Sequence, residues 1–239
     1  MKRLRVGMVV PSLNTIAEDD FRLFCPDEVS YHVHRIRLRK ESGRVTMDSL
    51  LRAWLEAGEE SEYLKDLSPD AVVFNCTGAS VAHGATGDAL LAQRLGERLG
   101  VPATNTMVAI KEALQALRAD RILHVCPFAD EFSRIERESL EASGHKLART
   151  ISLGFTDAKE AALMTPQRIA GIVREQIGPD IGAVLLSCAN VRAFEAAAEL
   201  EAALGLPVVT SNQATLWAVL RLVGWHGQIA GAGSLFAGH

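Results

Sequence analysis

The sequence predicts an α/β protein made of two parallel-sheet domains, related by pseudo-twofold symmetry around an interdomain cleft. Three observations predict it. Short apolar runs are continuous rather than alternating, as in strands covered on both faces. Helical segments lie between these runs, which is the pattern of βαβ units. The chain also repeats itself in order.

The repeat has three parts. Arg5-Val-Gly-Met-Val-Val-Pro11 resembles Arg121-Ile-Leu-His-Val-Cys-Pro127, an offset of 116 residues. Asp70-Ala-Val-Val-Phe-Asn-Cys76 resembles Gly182-Ala-Val-Leu-Leu-Ser-Cys188, an offset of 112. Gly100-Val-Pro-Ala-Thr-Asn-Thr106 resembles Gly205-Leu-Pro-Val-Val-Thr-Ser211, an offset of 105. Each match is weak alone because apolar strands look alike. Three in one order at nearly one offset imply duplication. Between them, helices are expected over Ser49–Ala57, Asp88–Leu99, Met107–Leu117, Pro166–Glu175 and Arg192–Leu204. Gly100 and Gly205 stand where a helix would end in a left-handed residue. Each half therefore reads as flavodoxin-like. The first half is taken as residues 1–112 and the second as residues 113–215.

The 239 residues suit two small domains. Hydrophobic residues make up 48%, enough for a sizeable core. A net charge of −4 gives no footprint for nucleic acid and no polybasic surface for an anionic membrane. No run approaches the roughly 20 apolar residues that span a bilayer. The basic start Met1-Lys2-Arg3 leads into an apolar run too short for a signal peptide and stopped by Pro11, so a buried strand and a cytoplasmic protein are expected.

Four cysteines occur, Cys25, Cys76, Cys126 and Cys188, none in a CxxC pair. A reducing compartment keeps them as thiols. Cys25 precedes Pro26 in an expected loop and is read as incidental; Cys126 lies inside a strand and is read as core. Cys76 and Cys188 sit at matched strand ends. Ligands of parallel sheets bind beyond the carboxyl ends of the strands, where Ser12-Leu13-Asn14-Thr15, Asn75-Cys76-Thr77-Gly78, Asn105-Thr106, Ser187-Cys188-Ala189-Asn190 and Thr210-Ser211-Asn212 collect. The residues after each cysteine are expected to open a helix, whose free N–H groups would stabilise anions and lower the thiol pKa. Two thiols facing one trapped substrate suit addition or proton removal on one side and proton delivery on the other.

These residues resemble the aspartate/glutamate racemase superfamily, and within it the maleate cis-trans isomerase and arylmalonate decarboxylase branch, over essentially the whole chain. Pro11-Ser12-Leu13-Asn14-Thr15 is similar to the branch's opening P-S-x-N-T loop. Asn75-Cys76-Thr77 and Ser187-Cys188 resemble its two catalytic strand ends, and Thr210-Ser211-Asn212-Gln213-Ala214 with Trp217 its closing segment. The decarboxylases of the branch keep only the second cysteine and have glycine at the first place, so the presence of both implies an isomerase or racemase. In the isomerases the first cysteine adds to the alkene and the second handles the proton at the neighbouring carbon. The resemblance thus implies Cys76 as nucleophile or base and Cys188 as acid or opposite base. It also implies that the helix near Trp217 to Val223 crosses back to the first domain, so that the C-terminal segment 216–239 joins the first half.

Ser12, Asn14, Thr77, Asn105, Asn190 and Ser211 are assigned to carboxylate binding, with Gly78, Phe128 and Ala189 beside them. Two positions depart from the branch. Phe128 stands where a tyrosine is usual, and Ala158 near an asparagine position of the isomerases. Both losses reduce polar grip on one carboxylate, which favours a related or less polar acid over maleate itself.

The expected function is a cofactor-independent isomerase of a small carboxylic or dicarboxylic acid, with no metal, acting as a homodimer or higher homo-oligomer. An amino-acid or hydantoin racemase and an arylmalonate-type decarboxylase are the alternatives. A small-acid binding protein is the alternative outside the enzymes. Other features carry less. His32 and His34 share a strand face but lack an evident third ligand. His83 is read as a loop residue more than a cleft residue, and Asp19 and Asp20 as helix N-terminal acids. No Walker sequence, HExxH or G-x-G-x-x-G appears.

Overall fold

The structure, a computed structural model, describes residues 3–238. Met1 and Lys2, part of the expected opening strand, and His239 lie outside the described residues. The first half runs β1 (Leu4–Pro11), α1 (Ala17–Phe24), β2 (Val29–Ile36), α2 (Met47–Glu60), a 3-10 turn (Ser61–Leu67), β3 (Ala71–Phe74), α3 (Thr77–Ser80), α4 (Gly87–Leu99), β4 (Ala103–Asn105) and α5 (Thr106–Ala116). The second runs β5 (Ile122–Phe128), α6 (Asp130–Ala142), β6 (Leu147–Phe155), α7 (Ala158–Ala162), α8 (Pro166–Gln176), β7 (Ala183–Leu186), α9 (Phe194–Leu204), β8 (Val208–Thr210) and α10 (Ser211–Leu222), with the short α11 (Leu235–Gly238) after it.

Two four-stranded sheets form, in the orders β2-β1-β3-β4 and β6-β5-β7-β8. Every pairing is parallel. The registers also correspond: Val6 pairs Ala71 in the first sheet and Ile122 pairs Ala183 in the second. The repeat in the sequence is thus a repeat of topology. β3 and β7, the strands that lead to Cys76 and Cys188, are buried at every position, as their continuous apolar runs require. The glycine punctuation holds as well. Gly100 and Gly205 cap α4 and α9 with φ of +69° and +65°, a conformation that costs glycine least.

Packing joins the halves into one body. Val6, Met8 and Val73 from the first sheet share a core with Leu185 and Val209 from the second, and with α5 and α10. α10 packs along α5 and also meets β3, β4 and α1. The outer faces are covered separately. Trp54, Leu91 and Leu95 cover Val9, Val72 and Phe74, whereas Ile169, Val173 and Leu200 cover Leu123 and Val184. Among the described residues no helix is long and apolar enough to cross a membrane.

Candidate active site

Because both sheets are parallel, each presents its carboxyl edge on one side, and the loops leaving β1, β3, β5 and β7 meet. They enclose a cavity of about 220 Å³. Cys76 and Cys188 both line it, one from each half. So do Asn14, Thr77, Gly78, Phe128, Ala189 and Asn190. Leu38, Val45, Leu50, Phe132 and Phe155 make much of the remaining wall apolar.

Ser12, Asn105 and Ser211 do not line the cavity, and the structure gives each a different task. Ser12 is exposed and its hydroxyl accepts from the Leu38 N–H (3.1 Å). Asn105 is fully buried as the N-cap of α5, accepting from Met107 and Val108 and donating to the Asp88 carbonyl (2.6 Å). Ser211 shares a hydrogen bond with Thr77 (2.9 Å) behind the wall, so it steadies a lining residue. All three are polar residues near a strand end, and the sequence shows that much without showing which way they point.

The two cysteines are presented differently. Cys76 is the N-cap of α3, and its backbone is extended. The N–H groups of Gly78 and Ala79 face its sulfur and favour the thiolate. Cys188 is not followed by a helix; residues 189–193 form turns, and α9 begins at Phe194 rather than Arg192. Its φ is +94°, a conformation that a residue with a Cβ rarely adopts. The turn brings the Asn190 N–H to 3.4 Å from the Cys188 sulfur. The expectation of lowered thiol pKa values is overturned. Burial pushes the Cys76 thiol up to about 12, despite its two N–H groups. Burial also drives Cys188 upward, and the neighbouring Glu136 and Cys76 add to the shift. Desolvation in an apolar pocket outweighs a few backbone dipoles.

Amide side chains fix the strained turn across the joint. Asn14 accepts from the N–H groups of Ile16 and Ala17 and donates to the Ala189 carbonyl (3.0 Å). Asn190 answers it, accepting from the Thr15 N–H (2.9 Å) and donating to the Ala158 carbonyl (2.9 Å). Asn212 donates to Ala189 as well (3.1 Å), and to Asp20 (2.6 Å), while accepting from Asn75 (3.2 Å). Asp20 is therefore more than a helix N-terminal acid: it is 1% exposed and belongs to this network. The roles of Asn75 and Asn212 were legible only as polar letters near strand ends.

The remaining expectations fall into place simply. Cys126 is fully buried. His83 is exposed and stacks on Trp54 (centroids 4.6 Å apart). His34 pairs with Glu60 at 3.1 Å. Phe128 lines the cavity edge-on to Phe132 (6.0 Å) and has no hydroxyl to offer.

The fold and site define a class: a two-lobed α/β protein with paired cysteines facing one cavity. Comparison with known proteins agrees. The arylmalonate decarboxylase family model matches residues 6–236, and the chain belongs to that family. A maleate isomerase from Geobacillus stearothermophilus is 26% identical, with 99% of this chain and 98% of that protein covered. The arylmalonate decarboxylase of Bordetella bronchiseptica is 28% identical over 92% of this chain and 90% of its own length. Among solved structures, a cysteine-to-serine variant of the Nocardia farcinica maleate cis-trans isomerase with a covalently bound succinylcysteine intermediate superposes with a TM-score of 0.90. It is 21% identical and covers 98% of both chains. These relatives set the chain in the maleate isomerase and arylmalonate decarboxylase branch of the aspartate/glutamate racemase superfamily.

Proposed function

We propose that this chain is a cofactor-independent cis-trans isomerase of a small unsaturated carboxylic acid, working through Cys76 and Cys188. The observation that carries the reading is that two cysteines ending matched strands line one cavity from opposite halves. The Cys76 thiolate adds to one alkene carbon, and Cys188 gives its proton to the other. The carbon–carbon bond is then single and turns. Cys188 takes the proton back, the carbon–sulfur bond breaks, and the trans acid leaves. Nothing is oxidised or reduced. The succinylcysteine of the Nocardia relative is the kind of adduct this route requires.

Asn14, Thr77, Gly78, Ala189 and Asn190 are the proposed binding groups. Asn14 keeps one amide N–H beyond its bond to Ala189, and the N–H groups after Cys76 point at the sulfur and its surroundings. The reading extends to a cytoplasmic homodimer or higher homo-oligomer, which size-exclusion chromatography checks. The test of function is a proton-NMR screen of cis-unsaturated mono- and dicarboxylic acids with wild type, Cys76→Ser and Cys188→Ser. Wild type should form the trans isomer, and both variants should not. Isomerisation retained in Cys76→Ser would contradict Cys76 as the nucleophile.

A further inference from the structure

One cavity-lining group has no part in the two-cysteine route. Glu136, on α6, is 2% exposed and forms part of the cavity wall. Its Oε2 meets Nε2 of the fully buried His124 at 3.1 Å, and the same nitrogen lies 3.0 Å from the Ser187 hydroxyl. Ser187 in turn donates to the Val125 carbonyl (3.3 Å). Nδ1 of His124 has no partner. An unpartnered ring N–H costs more in a dry site than an unpartnered ring lone pair, so the neutral tautomer with hydrogen on Nε2 fits best, donating toward Glu136. Among the described residues, Oε1 of Glu136 has no hydrogen-bond partner. The trio therefore holds a carboxylate with one oxygen left to accept from whatever fills the cavity.

The rest of the wall fits one carboxylate better than two. Phe128 and Ala158 supply no side-chain donor. Arg44 and Glu131, both exposed, line the same cavity with opposite charges, and the remaining donors are the spare amide N–H of Asn14 and the backbone N–H groups near the sulfurs. A second substrate carboxylate would share the cavity with the Glu136 carboxylate, and like charges in a poorly hydrated space repel. We propose that Glu136 accepts a hydrogen bond from the substrate, so that the substrate is an unsaturated acid with one carboxylate and one N–H or O–H group, such as an amide, rather than a dicarboxylate. This rests on the isomerase reading for its unsaturation alone. It also gives substrate a second effect: a donor bound to Glu136 softens the charge that opposes ionisation of both thiols.

The test compares cis-butenedioate with its monoamide, and their saturated analogues butanedioate and its monoamide. The saturated pair is used to protect the two cysteines from iodoacetamide at pH 9, read by mass spectrometry. This arm needs no turnover, so it separates the two proposals. Wild type should be half-protected by the monoamide at a concentration at least about tenfold below that needed with butanedioate. In Glu136→Gln, whose amide can donate to a carboxylate, that preference should shrink about tenfold or invert. Glu136→Ala, which also removes the carboxylate, is read in the same way if the glutamine variant does not fold by circular dichroism. Equal or better protection by butanedioate, protection by neither, or an unchanged preference in a folded variant overturns the proposal. Protection as expected, with no acid of the cis-unsaturated screen isomerised, removes the isomerase reading and leaves the role of Glu136 standing.

Discussion

Cys188 combines features that a purely structural cysteine does not need. It is backbone-strained at φ +94°, it accepts from an N–H two residues on, and it opens onto a cavity with a second thiol. Strain of this kind persists only where neighbours over-determine it, and here Asn14 and Asn212 both hold the adjacent Ala189 carbonyl. Replacing either cysteine by serine should lower turnover by roughly 100-fold or more, because the hydroxyl is a far poorer nucleophile and acid. Circular dichroism of each variant should match wild type. The thiols also set a pH dependence. The thiolate is the reacting form, and burial pushes Cys76 up to about 12. Alkylation of Cys76 in the free protein should therefore be slow at pH 7. It should still be rising above the pKa of about 8.5 of an ordinary cysteine. A rate that levels off near that value would contradict the burial argument.

α6 shows which elements escape sequence reading. The expected helices over Ser49–Ala57, Asp88–Leu99, Met107–Leu117 and Pro166–Glu175 match α2, α4, α5 and α8 to within a few residues at each end. Their buried faces are apolar, so periodicity reveals them. α6 buries Ser133, Glu136 and Ser139 beside Leu140. Its apolar face, Phe132, Ile135 and Leu140, packs against the cores, but the polar residues buried beside it carry no periodic signal of their own, and the carboxylate that lines the cavity went unnoticed with them. Ser139 even crosses the joint, donating to the Ala85 carbonyl at 3.1 Å. The turn after β7 is a second such case. Its shape depends on Asn14 and Asn212, which are 175 and 23 residues distant from their Ala189 acceptor. No local pattern encodes that. Asn14→Ala and Asn212→Ala should each cost about 1–3 kcal/mol in urea unfolding, since each strands buried partners. Both should also raise the reactivity of Cys188 toward iodoacetamide, because the turn that shields it loosens.

At the scale of the molecule, the duplicated topology was legible because central parallel strands are uniformly apolar and because glycines end the same helix in each half. What remained hidden was the joint. α10 and α5 pack together there, and Asp20 reaches Asn212 across 192 residues of chain. Burial pushes the Asp20 carboxyl up to about 7, and the Asn212 hydrogen bond only partly offsets it. A raised folded-state pKa favours folding most at pH values below the unfolded carboxyl's range, and that contribution is lost as pH rises through about 7. Wild-type stability should therefore decline between pH 4 and pH 8 by up to about 4 kcal/mol from this group, and Asp20→Asn should remove that slope. Thermal unfolding across that range, with both proteins, measures it. The central claim is that two thiols meet one substrate from opposite sides, with Cys76 forming the bond to carbon. Intact-protein and peptide mass spectrometry of Cys188→Ser, incubated with cis-butenedioate or its monoamide, tests this directly. Without the second thiol to return the adduct, a substrate-sized mass should appear on Cys76 and be missing when Cys76 is also replaced. An adduct on another residue, or none with either acid while wild type still turns one of them over, would contradict it.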